Sequence, residues 1–102
     1  MQGTSRISIG CGRWFDKSKS RCWEENSNWD GNNFISTPTG SQWEHEELYL
    51  TASKRWILRR WSQWQGTRDT YQLIQEGEAH VWLVDNGHFG AIPSVVTDAL
   101  EV

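Results

Sequence analysis

An imidazole stands among carboxylates at Glu44-His45-Glu46-Glu47, the residue types of general acid–base chemistry. On a strand, alternation sets Glu44 and Glu46 on one face and His45 and Glu47 on the other, which divides the group. We expect a solvated strand start there rather than a reaction centre. His80, His88, Cys11 and Cys22 add metal-ligand types, but no pair stands at a zinc spacing such as C-x2-C or H-x3-H. The histidines are expected at the surface or at helix ends. Asn26-Ser27-Asn28-Trp29-Asp30-Gly31 opens like a calcium loop, with oxygen side chains at alternate positions and then Gly. The twelfth position is Thr37 rather than Glu and no helix flanks the segment, so it reads as an Asx-stabilised turn. No nucleophile elbow, P-loop or dinucleotide fingerprint is present. We assign no catalytic residue, no metal and no cofactor. A small enzyme is the least favoured function, and would need a cleft uniting His45 or His80 with carboxylates.

The most suggestive segment is Lys54-Arg55-Trp56-Ile57-Leu58-Arg59-Arg60-Trp61-Ser62-Gln63-Trp64-Gln65, followed by Arg68. Basic side chains attract phosphates, and aromatic faces stack on bases. Trp and Arg are also enriched in protein-binding hot spots. Arg55, Arg59, Arg60, Trp61, Trp64 and Arg68 are therefore the candidate binding residues. Another protein is the favoured partner, and nucleic acid is the alternative. Alternation puts Arg55, Ile57, Arg59 and Trp61 on one face and Lys54, Trp56, Leu58 and Arg60 on the other. Neither face is cleanly apolar. The competing structural role is burial of Trp56 and Leu58, with the arginines paired to acids elsewhere.

The elements that must carry these residues are short. Residues 4–9 and 13–16 read as strands joined through Gly10-Cys11-Gly12, and 16–22 as a polar turn. Residues 26–33 read as a loop, 34–36 as a strand and 37–40 as a turn at Pro38. Residues 46–51 and 54–62 form a hairpin with a tight turn at Ala52-Ser53, whose chemistry suits a two-residue turn poorly. A loop around Gly66 leads to a strand at 70–74. The period then changes: Ala79, Trp82, Leu83 and Asn86 make a helical stripe widened by Val81 and Val84. Glu76 and Glu78 suit the start of that helix and Gly87 its stop. Ser94 is placed to cap a short terminal helix. The fold class is α+β, a small antiparallel sheet of about four to six short strands packed by one C-terminal helix over about 76–86.

One domain accounts for all 102 residues. Eight are Trp, and most of these are expected to fill the interior, with Trp82 and Trp56 the surest and Trp29, Trp61 and Trp64 the candidates for exposure. The net charge is -3, but it is uneven. Residues 54–68 hold five basic side chains and no acid, and 69–102 hold six acids and no Lys or Arg. No stretch is long and apolar enough for a membrane span, and no signal peptide is evident, so a cytoplasmic location and no membrane partner are expected. Cys11 and Cys22 read as reduced thiols, with a bridge across a hairpin as the alternative.

Leu48-Tyr49-Leu50-Thr51, Arg55-Trp56-Ile57-Leu58, Trp61-Ser62-Gln63-Trp64-Gln65-Gly66, Thr70-Tyr71, Glu78-Ala79 and Trp82-Leu83 together resemble a group of short bacterial hypothetical proteins. Asn32-Asn33-Phe34-Ile35-Ser36 and Thr39-Gly40-Ser41-Gln42-Trp43 resemble it too, so the likeness covers most of residues 12–88. These proteins are often found on plasmids and integrated mobile elements. The resemblance implies a mobile-element setting and carries no activity or catalytic residue. Members of the group tend to have Gly near the position of Ala52-Ser53, where this chain departs.

Overall fold

The computed structural model describes residues 5–64 and 66–102, so Thr4 of the first expected strand and Gln65 of the aromatic string lie outside it. Eight strands form: β1 (Arg6–Gly10), β2 (Arg13–Asp16), β3 (Arg21–Glu24), β4 (Ser27–Trp29), β5 (Phe34–Ser36), β6 (Glu44–Leu50), β7 (Trp56–Ser62) and β8 (Thr70–Ile74). Two helices follow, α1 (Glu76–Asp85) and α2 (Ser94–Leu100). The α+β class and the antiparallel pairing hold, but the strands exceed the expected range and the C-terminal helices number two. The strands missed were β3, in a stretch without a period, and β4, in the supposed loop. β3 turns only Trp23 partly inward, and all three residues of β4 are exposed. A strand that buries so little leaves no alternation to read.

The centre is a four-stranded sheet in the order β3-β6-β7-β8. Both of its faces are covered. On one face Leu48 packs with Ala79, Trp82 and Leu83 of α1 and with Ile92, joined at the margin by Trp23, Trp56, Leu58 and Ile74. On the other, Tyr49 and Ile57 pack beneath Phe15 of the β1–β2 hairpin, with Ile7, Ile9, Tyr71 and Leu73 around them. Phe15 stands 5.4 Å from Tyr49 and 5.8 Å from Tyr71, ring centre to ring centre. A sheet buried on both sides needs apolar residues at consecutive positions, which is why β7 shows no clean apolar face. Full burial of side chains such as Leu48 and Leu83 contributes about 1.5–3 kcal/mol each.

Two turns fix the joints. The β6–β7 connection is longer than the expected two-residue turn. Thr51 N–H donates to Arg55 O and Lys54 N–H to Thr51 O, both at 2.9 Å, and Lys54 takes a φ of +68°. This is a three-residue hairpin loop with its last residue left-handed. At the end of α1, His88 N–H donates to Leu83 O (2.7 Å) and Gly87 N–H to Val84 O (3.1 Å), with Gly87 at φ +82°. These paired bonds satisfy carbonyls that the helix end would otherwise leave open.

Some expected placements change. Val81 is exposed and lies off the α1 stripe. The cap of α2 is Pro93, with Ser94 already inside the helix. Most of the tryptophans do not fill the interior. Trp82 is buried, Trp23, Trp56 and Trp61 are half-buried, and Trp14, Trp29, Trp43 and Trp64 are exposed. The smaller apolar residues of the two clusters supply the rest of the core. Among the described residues, no helix is long and apolar enough to cross a membrane.

Candidate interaction surfaces

The fold takes the 54–68 segment apart. Arg59 lies on the hairpin side of β7, opposite Glu47 of β6, and binds both Glu47 and Asp69, the latter through Nε at 3.0 Å. Burial works against its charge, but the hydrogen bonds to Asp69 and Glu47 outweigh burial and hold its pKa above the ordinary arginine value. Arg60, on the helix side, donates through Nε to Glu46 at 3.0 Å. Glu46 is only 4% exposed and also accepts from the Trp82 indole at 2.9 Å. Both arginines thus pair with acids of the fold, the structural role that competed with binding, but Arg60 stays 59% exposed and lines one groove with Trp61 and Arg68. Arg55 sits at the β6–β7 turn, while Trp61, Trp64 and Arg68 lie at or beyond the far end of β7. At about 3.4 Å per residue, Arg55 and Trp61 are roughly 20 Å apart. The six candidate residues do not form one surface.

One end of the molecule does gather aromatics. Trp43 and Trp64 pack with ring centres 4.9 Å apart, at 41% and 58% exposure. Local bonds hold them: Gln63 N–H donates to Trp43 O (2.9 Å), Trp43 N–H to Ser41 Oγ (3.0 Å) and Trp64 N–H to Ser62 Oγ (3.1 Å). One step inward, His45 and Trp61 are cross-strand partners with rings 4.6 Å apart. A second exposed pair, Trp29 and Phe34, closes the β4–β5 hairpin at 5.0 Å. That hairpin is tied to the same end, because Ser36 N–H donates to Ser41 O at 2.9 Å and Thr39 Oγ1 to Glu44 O at 2.7 Å. Of these four rings only Trp64 was among the candidate binding residues; an aromatic beside a turn carries no local mark of what it will meet.

His45 and His80 are not at the surface or at a helix end as expected, whereas His88 does follow the end of α1. His45 Nδ1 lies 2.6 Å from Glu25 Oε2, and both side chains are largely buried. Glu25 Oε1 also accepts from Ser36 Oγ (2.8 Å) and from Glu46 N–H (2.7 Å), so one carboxylate ties together β5, β6 and the segment after β3. Among the described residues, His45 Nε2 is buried without a partner, as is Trp61 Nε1. An acid–base group must touch the proton it moves, and in this conformation Nε2 is closed off. His80 is buried against Trp56, and His88 stacks on Trp82 while its Nε2 meets Glu24 O at 2.7 Å. The start of β6 is only partly solvated, since Glu44 is exposed while His45 and Glu46 turn inward on opposite faces.

Asp30 Oδ1 accepts from the N–H groups of Asn32 and Asn33, both at 2.8 Å, so its oxygen is committed to the expected Asx turn. Cys11 and Cys22 are both free thiols. Burial, with Glu47 close by, pushes the Cys22 thiol upward, away from the reactive thiolate.

The arrangement defines a small α+β domain with both sheet faces covered and an exposed aromatic cluster at one end. No protein-family model matches the chain, no curated protein matches it, and no solved structure matches it. The resemblance to short bacterial hypothetical proteins therefore rests on the sequence strings quoted for it.

Proposed function

We propose that this chain is a non-catalytic interaction domain that binds another protein through the aromatic end, in the cytoplasm of a cell carrying a mobile element. The observation that supports this is the Trp43–Trp64 pair, held in place by backbone and serine hydrogen bonds yet open to solvent. A large ring buries about 150–250 Å² when covered, and preordered rings lose little side-chain entropy on binding. Trp29 and Phe34 form a second exposed aromatic pair, on the β4–β5 hairpin. The Trp-Ser-Gln-Trp-Gln-Gly string supports the mobile-element setting.

The other readings find less support here. Nucleic acid along β7 would need Arg59 and Arg60, which are engaged with Glu47, Asp69 and Glu46. A His–carboxylate enzyme would need His45 Nε2 open to substrate.

The test is site-specific photo-crosslinking in the native cells, with a photoreactive phenylalanine analogue at Trp64. The expected result is a discrete protein adduct that disappears with Trp43→Ser. The reading is overturned if the folded protein yields no adduct there, or an adduct indifferent to Trp43.

A further inference from the structure

The opposite end of the molecule carries a different surface. Strand β2 runs past the β6–β7 turn, and Trp14 projects from it at 57% exposure. Trp14 divides two grooves that share Thr51 and Ser53 as a floor. One, of about 240 Å³, is lined by Arg13 and Arg55 along with Trp14. The other, of about 310 Å³, is lined by Arg6 and Lys19 along with Trp14. The Arg6 guanidinium also lies 4.8 Å from the centre of the Trp14 ring. Among the described residues Asp16 is the only carboxylate lining either groove, and its Oδ1 accepts from Ser18 N–H and Oγ. Lys54 stands at the same turn, and Arg13, Lys19, Lys54 and Arg55 are all exposed. This pole is basic on a chain of net charge -3, so the rest of the molecule is the more strongly acidic.

We propose that this pole binds single-stranded nucleic acid, with a base stacked on Trp14 and the flanking phosphates held by Arg13, Lys54 and Arg55 on one side and by Lys19 on the other. The chemistry selects this partner from other polyanions. An exposed ring flanked by cations on both sides matches a strand in which a base alternates with phosphates. A duplex keeps its base faces stacked and cannot offer one to Trp14. A membrane surface is met by an amphipathic helix with an apolar face, and this pole is built of strands and a turn. The acidic remainder of the molecule confines the attraction to the pole, since like charge repels the strand elsewhere. The site is separate from the aromatic end, so the two proposals stand or fall independently.

The experiment is fluorescence anisotropy of a labelled oligothymidine and a labelled oligouridine, each of about twenty nucleotides, at about 20 mM salt and upward. Binding of either is expected to weaken with salt with a log–log slope near -3, the value for about four phosphate contacts on a single strand. Trp14→Ala should weaken binding about tenfold or more. Arg13→Glu with Arg55→Glu should abolish it, and Gln63→Glu at the far end should leave it unchanged. Thermal melting of each variant establishes that it is folded. No anisotropy change with either oligonucleotide at low salt overturns the proposal, as does equal loss with Gln63→Glu. Binding to vesicles of equal parts phosphatidylcholine and phosphatidylserine without binding to the oligonucleotides overturns it too.

Discussion

The Trp82 indole N–H donates to Glu46 Oε1 at 2.9 Å, and this bond joins α1 to the middle of the sheet. The second oxygen of Glu46 takes Arg60 from the next strand. One buried carboxylate thus fixes both the position of the helix and the charge of its neighbour.

Glu46→Ala should destabilise the domain by about 2–3 kcal/mol, because the buried Trp82 N–H loses its acceptor. Arg60 is 59% exposed, so it returns to water and adds little to that cost. Glu46→Gln should cost less, since the amide oxygen still accepts from Trp82. Urea denaturation of the three proteins checks the order. Equal losses for Ala and Gln would remove Trp82 from the account.

Lys54 holds a left-handed backbone at φ +68°, where a side chain costs about 1–2 kcal/mol. Lys54→Gly relieves this but loosens the unfolded chain, and the balance should stabilise by about 0.5–1 kcal/mol. A thermal midpoint raised by a few degrees is the expected readout. A lowered midpoint would mean that Lys54 makes contacts worth more than the strain.

Asp30 is held below its usual value of 3.8 by the backbone N–H groups of Asn33 and Asn32, which bond the charged form. Because the folded value is the lower, the stability from this site is complete above the unfolded-state value and is lost as pH falls through the folded one. Asp30→Asn removes that titration. Its stability should fall less steeply than that of the parent between about pH 5 and pH 2. Parallel curves would refute the assignment.

Trp64 and Trp82 should separate cleanly. Trp82→Ala opens a cavity between α1 and the sheet and should cost about 3–5 kcal/mol. Trp64→Ser removes an exposed ring and should change stability by no more than about 0.5 kcal/mol. Acrylamide should quench the native emission contributed by Trp64 while sparing that of Trp82. A large stability loss at Trp64 would make it a structural residue and weaken the aromatic end as a binding surface.

Local signals were enough for some elements. β2, β5 and β8 lie where the residue pattern puts them, and β7 falls within its expected run. α1 was legible because a 3.6-residue period and a glycine stop act within a dozen residues. The Asx turn at Asp30 was legible for the same reason. β3 and β4 were not, since their few inward residues leave no period.

The sequence by itself determined the α1 stripe through Ala79, Trp82 and Leu83, the antiparallel run of β6, β7 and β8, and the existence of a basic aromatic segment. Only the tertiary structure decided what those residues meet. The β1–β2 hairpin covers the second face of the sheet, and so β7 buries apolar side chains on both sides, Trp56 and Leu58 on one and Ile57 on the other. Arg59 and Arg60 are neutralised by Glu47 and Glu46, fourteen or fewer residues away in sequence but directly across a strand pair. Arg55 instead lines one groove with Arg13 and Trp14, residues some forty positions earlier. Strand register and the stacking of layers create these encounters. Both are non-local, because a β-strand finds its partners through hydrogen bonds to distant segments, whereas a helix turn closes on itself.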